Sequence, residues 1–168
     1  MSMAEPKHVE TGVSILTSVF QVRGKLHVLG TMQNFLNDEQ KPTLTVYKAE
    51  ATGISSGNPA AHMSQPEMVI NKRSMQMIAF EVAPSKDTLV MLPNIQPLML
   101  YTDQFAIAGK FHLGPDAHLT DFAEASLQDF IVASEVKIYP MFPARTGLIQ
   151  SAPVIVIHKA QIRLYHKA

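Results

Sequence analysis

The chain has 168 residues, no cysteine, and 14 basic against 14 acidic side chains. The missing cysteines exclude disulfides, thiolate catalysis and cysteine-ligated zinc or iron–sulfur sites. Hydrophobic residues make up 46%, enough for a folded core. The charge is evenly spread, with six basic and five acidic residues in 11–82 and six of each in 98–168. It therefore lacks the basic surplus with which a protein grips nucleic acid through phosphates.

Residues 1–10 are polar and read as a flexible tail. They carry no apolar run of the secretory kind, and no stretch approaches the ~20 apolar residues of a membrane span. A cytoplasmic protein is expected. The body then begins with a short apolar strand at 13–16, a turn at Thr17-Ser18, and a long strand in which Phe20, Val22, Gly24, Leu26 and Val28 share one face. Gln21, Arg23, Lys25 and His27 share the other. The mid-strand glycine allows the sharp bend by which a small sheet curls. A helical turn is expected at 34–37, a strand at 44–51, a Pro/Gly/Ser-rich loop at 53–65, and two last strands at 67–70 and 75–80 joined by a tight polar turn.

After a linker at 83–97 the same order returns. The segment Thr17-Ser18-Val19-Phe20-Gln21-Val22-Arg23-Gly24-Lys25-Leu26-His27 aligns with Thr102-Asp103-Gln104-Phe105-Ala106-Ile107-Ala108-Gly109-Lys110-Phe111-His112 at an offset of 85. Pro66-Glu67-Met68-Val69-Ile70-Asn71-Lys72 aligns with Pro153-Val154-Ile155-Val156-Ile157-His158-Lys159 at an offset of 87. Strands are expected at 98–101, 105–113, 130–138, 154–157 and 162–165, a helical turn at 119–124 and a long loop at 139–152. The expected fold is mostly β: two tandem five-stranded small barrels, 11–82 and 98–168, each with a short helical turn.

This outline resembles the Sm-like (SH3-like) small barrels, and uncharacterised bacterial domains of that shape most closely. Val22, Gly24 and Leu26, and again Ile107, Gly109 and Phe111, match the bend-glycine pattern of that family's first motif. Ile70-Asn71-Lys72 with Met75, and Ile157-His158-Lys159 with Ile162, keep the spacing of its second motif but lack its Arg-Gly. The resemblance implies open barrels that associate through strand edges, commonly as rings. Its nucleotide site uses an Arg that neither copy has. Asn34 stands at the family's Asn position in the first copy, and Leu119 in the second.

The repeated Lys-x-His, Lys25 with His27 and Lys110 with His112, lies on the polar strand face, so its imidazoles are expected in solvent. It reads either as paired sites for an anion or partner carboxylate, or as a solvated face inherited by both copies. Asn71, Lys72, His158 and Lys159 mark the tight turns, where Asn and His tolerate left-handed backbone. The loop containing Met141, Phe142, Arg145, Leu148 and Ile149 is the candidate interaction surface, because aromatic, Met and Arg side chains are enriched at interfaces. The other reading folds that loop over the barrel mouth or onto the other copy.

No Gly-x-Ser-x-Gly, phosphate-binding loop, metal-spaced histidines or paired carboxylates stand out, so neither an enzyme nor a cofactor is expected. The expected function is a non-enzymatic assembly or adaptor protein acting on protein partners, itself or other subunits. The alternatives are a single-stranded nucleic-acid binder, disfavoured by the neutral charge, and a small-ligand sensor.

Overall fold

A computed structural model describes residues 8–58, 62–114, 118 and 129–168. Among these residues ten strands and one short α-helix follow in chain order: β1 His8–Thr17, β2 Phe20–Leu29, α1 Met32–Asn37, β3 Thr43–Gly53, β4 Met63–Asn71, β5 Met75–Phe80, β6 Asn94–Tyr101, β7 Phe105–Leu113, β8 Phe130–Pro140, β9 Ser151–His158 and β10 Leu164–Lys167. The expected strands are all present, most of them longer than their apolar cores suggest. Residues 8–10 of the expected tail belong to β1, and residues 94–97 of the expected linker belong to β6. The second helical turn, expected at 119–124, lies outside the described residues.

The strands form one antiparallel sheet in the order β10-β6-β7-β8-β9-β5-β1-β2-β3-β4, which does not close. The mostly β class is as expected, and all ten strands belong to this one sheet. Each half contributes five strands in the same order (β5-β1-β2-β3-β4 and β10-β6-β7-β8-β9), and the halves are spliced by pairing β5 with β9.

The correspondence extends to register. Leu16 pairs with Met77 in the first half and Tyr101 with Leu164 in the second, offsets of 85 and 87. Leu44 pairs with Ile70 and Ile131 with Ile157, both 87 apart. The register slips between Arg23 and Lys25 and again between Ala108 and Lys110, on either side of the two glycines. Opposite each slip sits one residue of positive φ, Lys48 at 49° and Glu135 at 50°. These are β-bulges, which bend a strand and increase its twist. Gly24 is required there: a Cβ would lie 2.6 Å from the Tyr47 carbonyl oxygen.

Two apolar clusters form the core, and each draws on both halves. The first, built from β1 to β5, also contains Phe130, Val132, Val154 and Val156. The second, built from β6 to β9, also contains Leu16, Ile54, Met77 and Ala79. Helix α1 closes the first: Thr31 caps it by accepting from the Asn34 amide at 3.3 Å, and Met32 and Leu36, one turn apart, are buried. The segment between the halves also packs there, with Leu89 buried and the Thr88 carbonyl accepting from the Met32 amide at 2.7 Å.

Candidate functional site

A strand in the middle of a sheet with a core on each face must be apolar on both faces. β5, Met-Gln-Met-Ile-Ala-Phe, is buried at all six positions, and β9 is buried from Val154 to His158. They pair as Met77↔Ile157, Ile78↔Val156, Ala79↔Ile155 and Phe80↔Val154. Around them the junction is sealed by polar contacts. The buried Thr102 hydroxyl donates to Gln76 Oε1 at 2.7 Å, while Gln76 Nε2 donates to Gln104 Oε1. Gln104 Nε2 donates to the Ser18 carbonyl at 2.9 Å. No water is needed to satisfy the buried Gln76 and Thr102, which is the condition for burying such groups cheaply.

The sheet ends in two edges, β4 and β10. They occupy in the opposite halves the places that β9 and β5 occupy at the junction, but they are dressed differently. β4 is exposed over most of its length, with Val69 at 66% and Met63 at 40%, and Pro66 lies within it. A strand proline is accommodated where no ladder bond is asked of it. β10 exposes Leu164 at 55%, together with His166 and Lys167. Met141, just after β8, is 49% exposed. Arg163 forms a bidentate pair with Asp103 at 2.8 and 3.1 Å. This hydrogen-bonded partner holds the Asp103 carboxyl below the usual carboxylate range.

The loop expected to be an interaction surface is largely spent inside the molecule. Arg145 Nε donates to the Gly53 carbonyl at 3.1 Å and its Nη2 to the Asn58 carbonyl at 2.6 Å, both in the first half. Phe142 meets Phe105 edge to face at 5.5 Å between centroids. Leu148 and Ile149 pack on the second core, and the Ile149 amide donates to Gln21 Oε1 at 2.8 Å. Of the five candidates only Met141 is exposed. Carbonyl groups and the Gln21 side chain of the first half hold the loop down.

The Lys-x-His pairs are not equivalent sites. His27 is exposed, stacks on Tyr47 at 4.2 Å, and lies 3.7 Å from Glu10. His112, expected in solvent, is buried: its Nδ1 lies 3.1 Å from the Leu92 carbonyl and its Nε2 2.8 Å from Ser134 Oγ. The Leu92 carbonyl comes from the segment between the halves, which alternation along one strand does not reveal. Lys25 is half-buried, and Lys110 pairs with Glu135.

The turn residues share a role other than the left-handed one expected. Asn71 and His158 are both extended (φ −71° and −70°) and cap single 3-10 turns. Asn71 Oδ1 accepts from the Arg73 amide at 2.9 Å, and His158 Nδ1 from the Ala160 amide at 3.1 Å. Burial lowers the His158 pKa, and Arg73 adds to the effect while Asp129 opposes it. Lys72 is buried, with Nζ 2.8 Å from the Phe35 carbonyl and 5.5 Å from its ring centroid. Burial lowers its pKa too. The Lys72 and Lys159 amides close corresponding turns on the Pro42 and Asp129 carbonyls.

Among the described residues no three His, Asp or Glu side chains gather to hold a metal ion, and no helix is long and apolar enough to cross a membrane. Sequence reasoning missed the roles of Gln76, Thr102, Gln104 and Ile54, and which two strands form the sheet's edges. The signal for the edges was present. Met75–Phe80 is apolar on both faces, while its counterpart in β10, Leu-Tyr-His-Lys, is amphipathic and polar at its end. Comparison with known proteins finds no family model, no curated protein and no solved structure that matches this chain.

Proposed function

We propose that this protein is a non-enzymatic assembly or adaptor subunit, built by duplication of a small Sm-like β unit and acting through protein–protein contacts at its sheet edges. The equal strand order, the paired bulges at Lys48 and Glu135 and the paired caps at Asn71 and His158 support the duplication.

One observation carries the functional reading. The surface that each unit buries at the internal junction recurs, uncovered, at the two ends of the sheet. An edge strand presents a row of backbone donors and acceptors to any chain that can add a strand. Val69 and Leu164 add exposed apolar surface on those strands. A net charge of zero opposes such association only weakly.

Native mass spectrometry of the protein isolated from its own host tests this. A defined oligomer or a mixed complex of protein-only mass is the expected result. A bare monomer, or a monomer carrying nucleotide mass, overturns the reading.

A further inference from the structure

We infer that the partner at these edges is a second copy of this chain, docked head to tail, with its β4 on the outer side of β10 in the register of the internal junction. The inference rests on the assembly reading and gives it a partner and an alignment. Adding 87 to the β5 residues of the junction gives Leu164, Tyr165, His166 and Lys167, and subtracting 87 from the β9 residues gives Ile70, Val69, Met68 and Glu67. The intermolecular pairs are therefore Leu164↔Ile70, Tyr165↔Val69, His166↔Met68 and Lys167↔Glu67. The last sets a cation directly opposite a carboxylate, a favourable cross-strand pair.

Side-chain direction agrees with this register. At the junction Met77 and Ala79 leave their own half to enter the second core, while Val154 and Val156 enter the first. Their counterparts Leu164, His166, Glu67 and Val69 are all exposed. Ile54 belongs to the second core at the junction, and its counterpart Met141 is exposed. Pro153 stands immediately before the paired stretch of β9 and Pro66 immediately before that of β4, so a missing N–H limits both ladders at the same place.

The two interfaces differ in strength. Where the junction has Phe130 and Val132 the outer edge has Thr43 and Thr45, and where it has Val154 the edge has Glu67. The contact between copies is thus a more polar version of the internal one, and it dissociates on dilution.

The chain has no cysteine, so engineered pairs report register without background. Sedimentation of the unmodified protein over a concentration series is expected to show reversible association. A Glu67→Cys/Lys167→Cys chain, altered only at exposed positions, is expected to form disulfides between copies on mild oxidation. A Glu67→Cys/His166→Cys chain is not, because adjacent strand side chains point to opposite faces. Association with both pairs cross-linking equally, or neither, overturns the inference and leaves the assembly reading intact. So does a chain that is monomeric alone yet occurs in its host bound to different subunits. A monomer in both settings overturns both.

Discussion

Ile54 and Met141 stand 87 positions apart at the same place in the two halves, and only Ile54 is covered: it is 1% exposed, Met141 49%. Each follows its third-from-last strand in the same way, the Ile54 amide donating to the Val19 carbonyl at 2.9 Å and the Met141 amide to that of Gln104 at 2.7 Å. The difference lies in what comes next. The second half lies against Ile54, whereas Met141 stays half exposed.

The two positions therefore separate folding from assembly. Ile54→Ala is expected to cost about 2–4 kcal/mol, the range for truncating a fully buried aliphatic side chain. Met141→Ala is expected to change monomer stability by no more than about 0.5 kcal/mol. Urea unfolding at a concentration too low for association measures both. Equal costs would show that Ile54 is not seated in the second core as described.

The bend glycines give a second asymmetric pair. A Cβ on Gly24 meets Val46 Cγ1 at 2.5 Å and the Tyr47 carbonyl at 2.6 Å, and the carbonyl cannot move without disturbing the bulge. On Gly109 the nearest atoms are Val136 Cγ2 at 3.1 Å and the Ser134 carbonyl at 3.4 Å. Gly24→Ala is expected to cost about 2–3 kcal/mol as an overpacked site. Gly109→Ala is expected to stay within about 1 kcal/mol of neutral, because a less flexible unfolded chain offsets mild crowding. Thermal unfolding of the two variants side by side checks the order.

Much of the fold was legible because its signals are local. Period-two alternation around Phe20 and Phe105, with the bend glycines, located strands without tertiary information. What joins the halves was not legible in that way. The long-range pairing of β5 with β9 depends on apolar character on both faces of Met75–Phe80, and a continuous apolar run fits a buried strand without naming its neighbour. The same limit applies to the loop at 139–152. Phe142, Leu148 and Ile149 read as an exposed patch because the carbonyls that anchor Arg145, those of Gly53 and Asn58, lie about 90 residues earlier in the chain. His112 failed for the same kind of reason: the Leu92 carbonyl that covers it comes from a segment without periodicity.

The Gln76–Thr102 hydrogen bond is a buried contact between the halves, so it offers a test of the splice itself. Gln76 is 3% exposed and Thr102 2%. Thr102→Val leaves the Gln76 amide short of a partner, and Gln76→Ala does the same to the Thr102 hydroxyl. Each is expected to cost about 1–3 kcal/mol, the penalty for stranding a buried polar group. In a double-mutant cycle the pair is expected to show a coupling of at least about 0.5 kcal/mol, because the second change removes the group that the first left unsatisfied. Strict additivity would mean that the two halves do not meet here.

His158 makes the second half sensitive to acid. Its Nδ1 accepts from the Ala160 amide, so the folded protein requires the ring to be neutral with its proton on Nε2. Burial, with Arg73 nearby, pushes the folded pKa down, against the opposing pull of Asp129. The unfolded chain takes up the proton near the ordinary imidazole value of about 6.5, so below that pH the unfolded state holds more protons and stability falls. Above it the contribution is fully present. His158→Asn restores the cap that the first half uses at Asn71 and removes the titration. Between about pH 7.5 and about pH 5.5 the parent is expected to lose more stability than this variant, since only the parent has a depressed imidazole at that cap. Urea midpoints at the two pH values measure the difference, and equal losses would place the acid sensitivity on other groups.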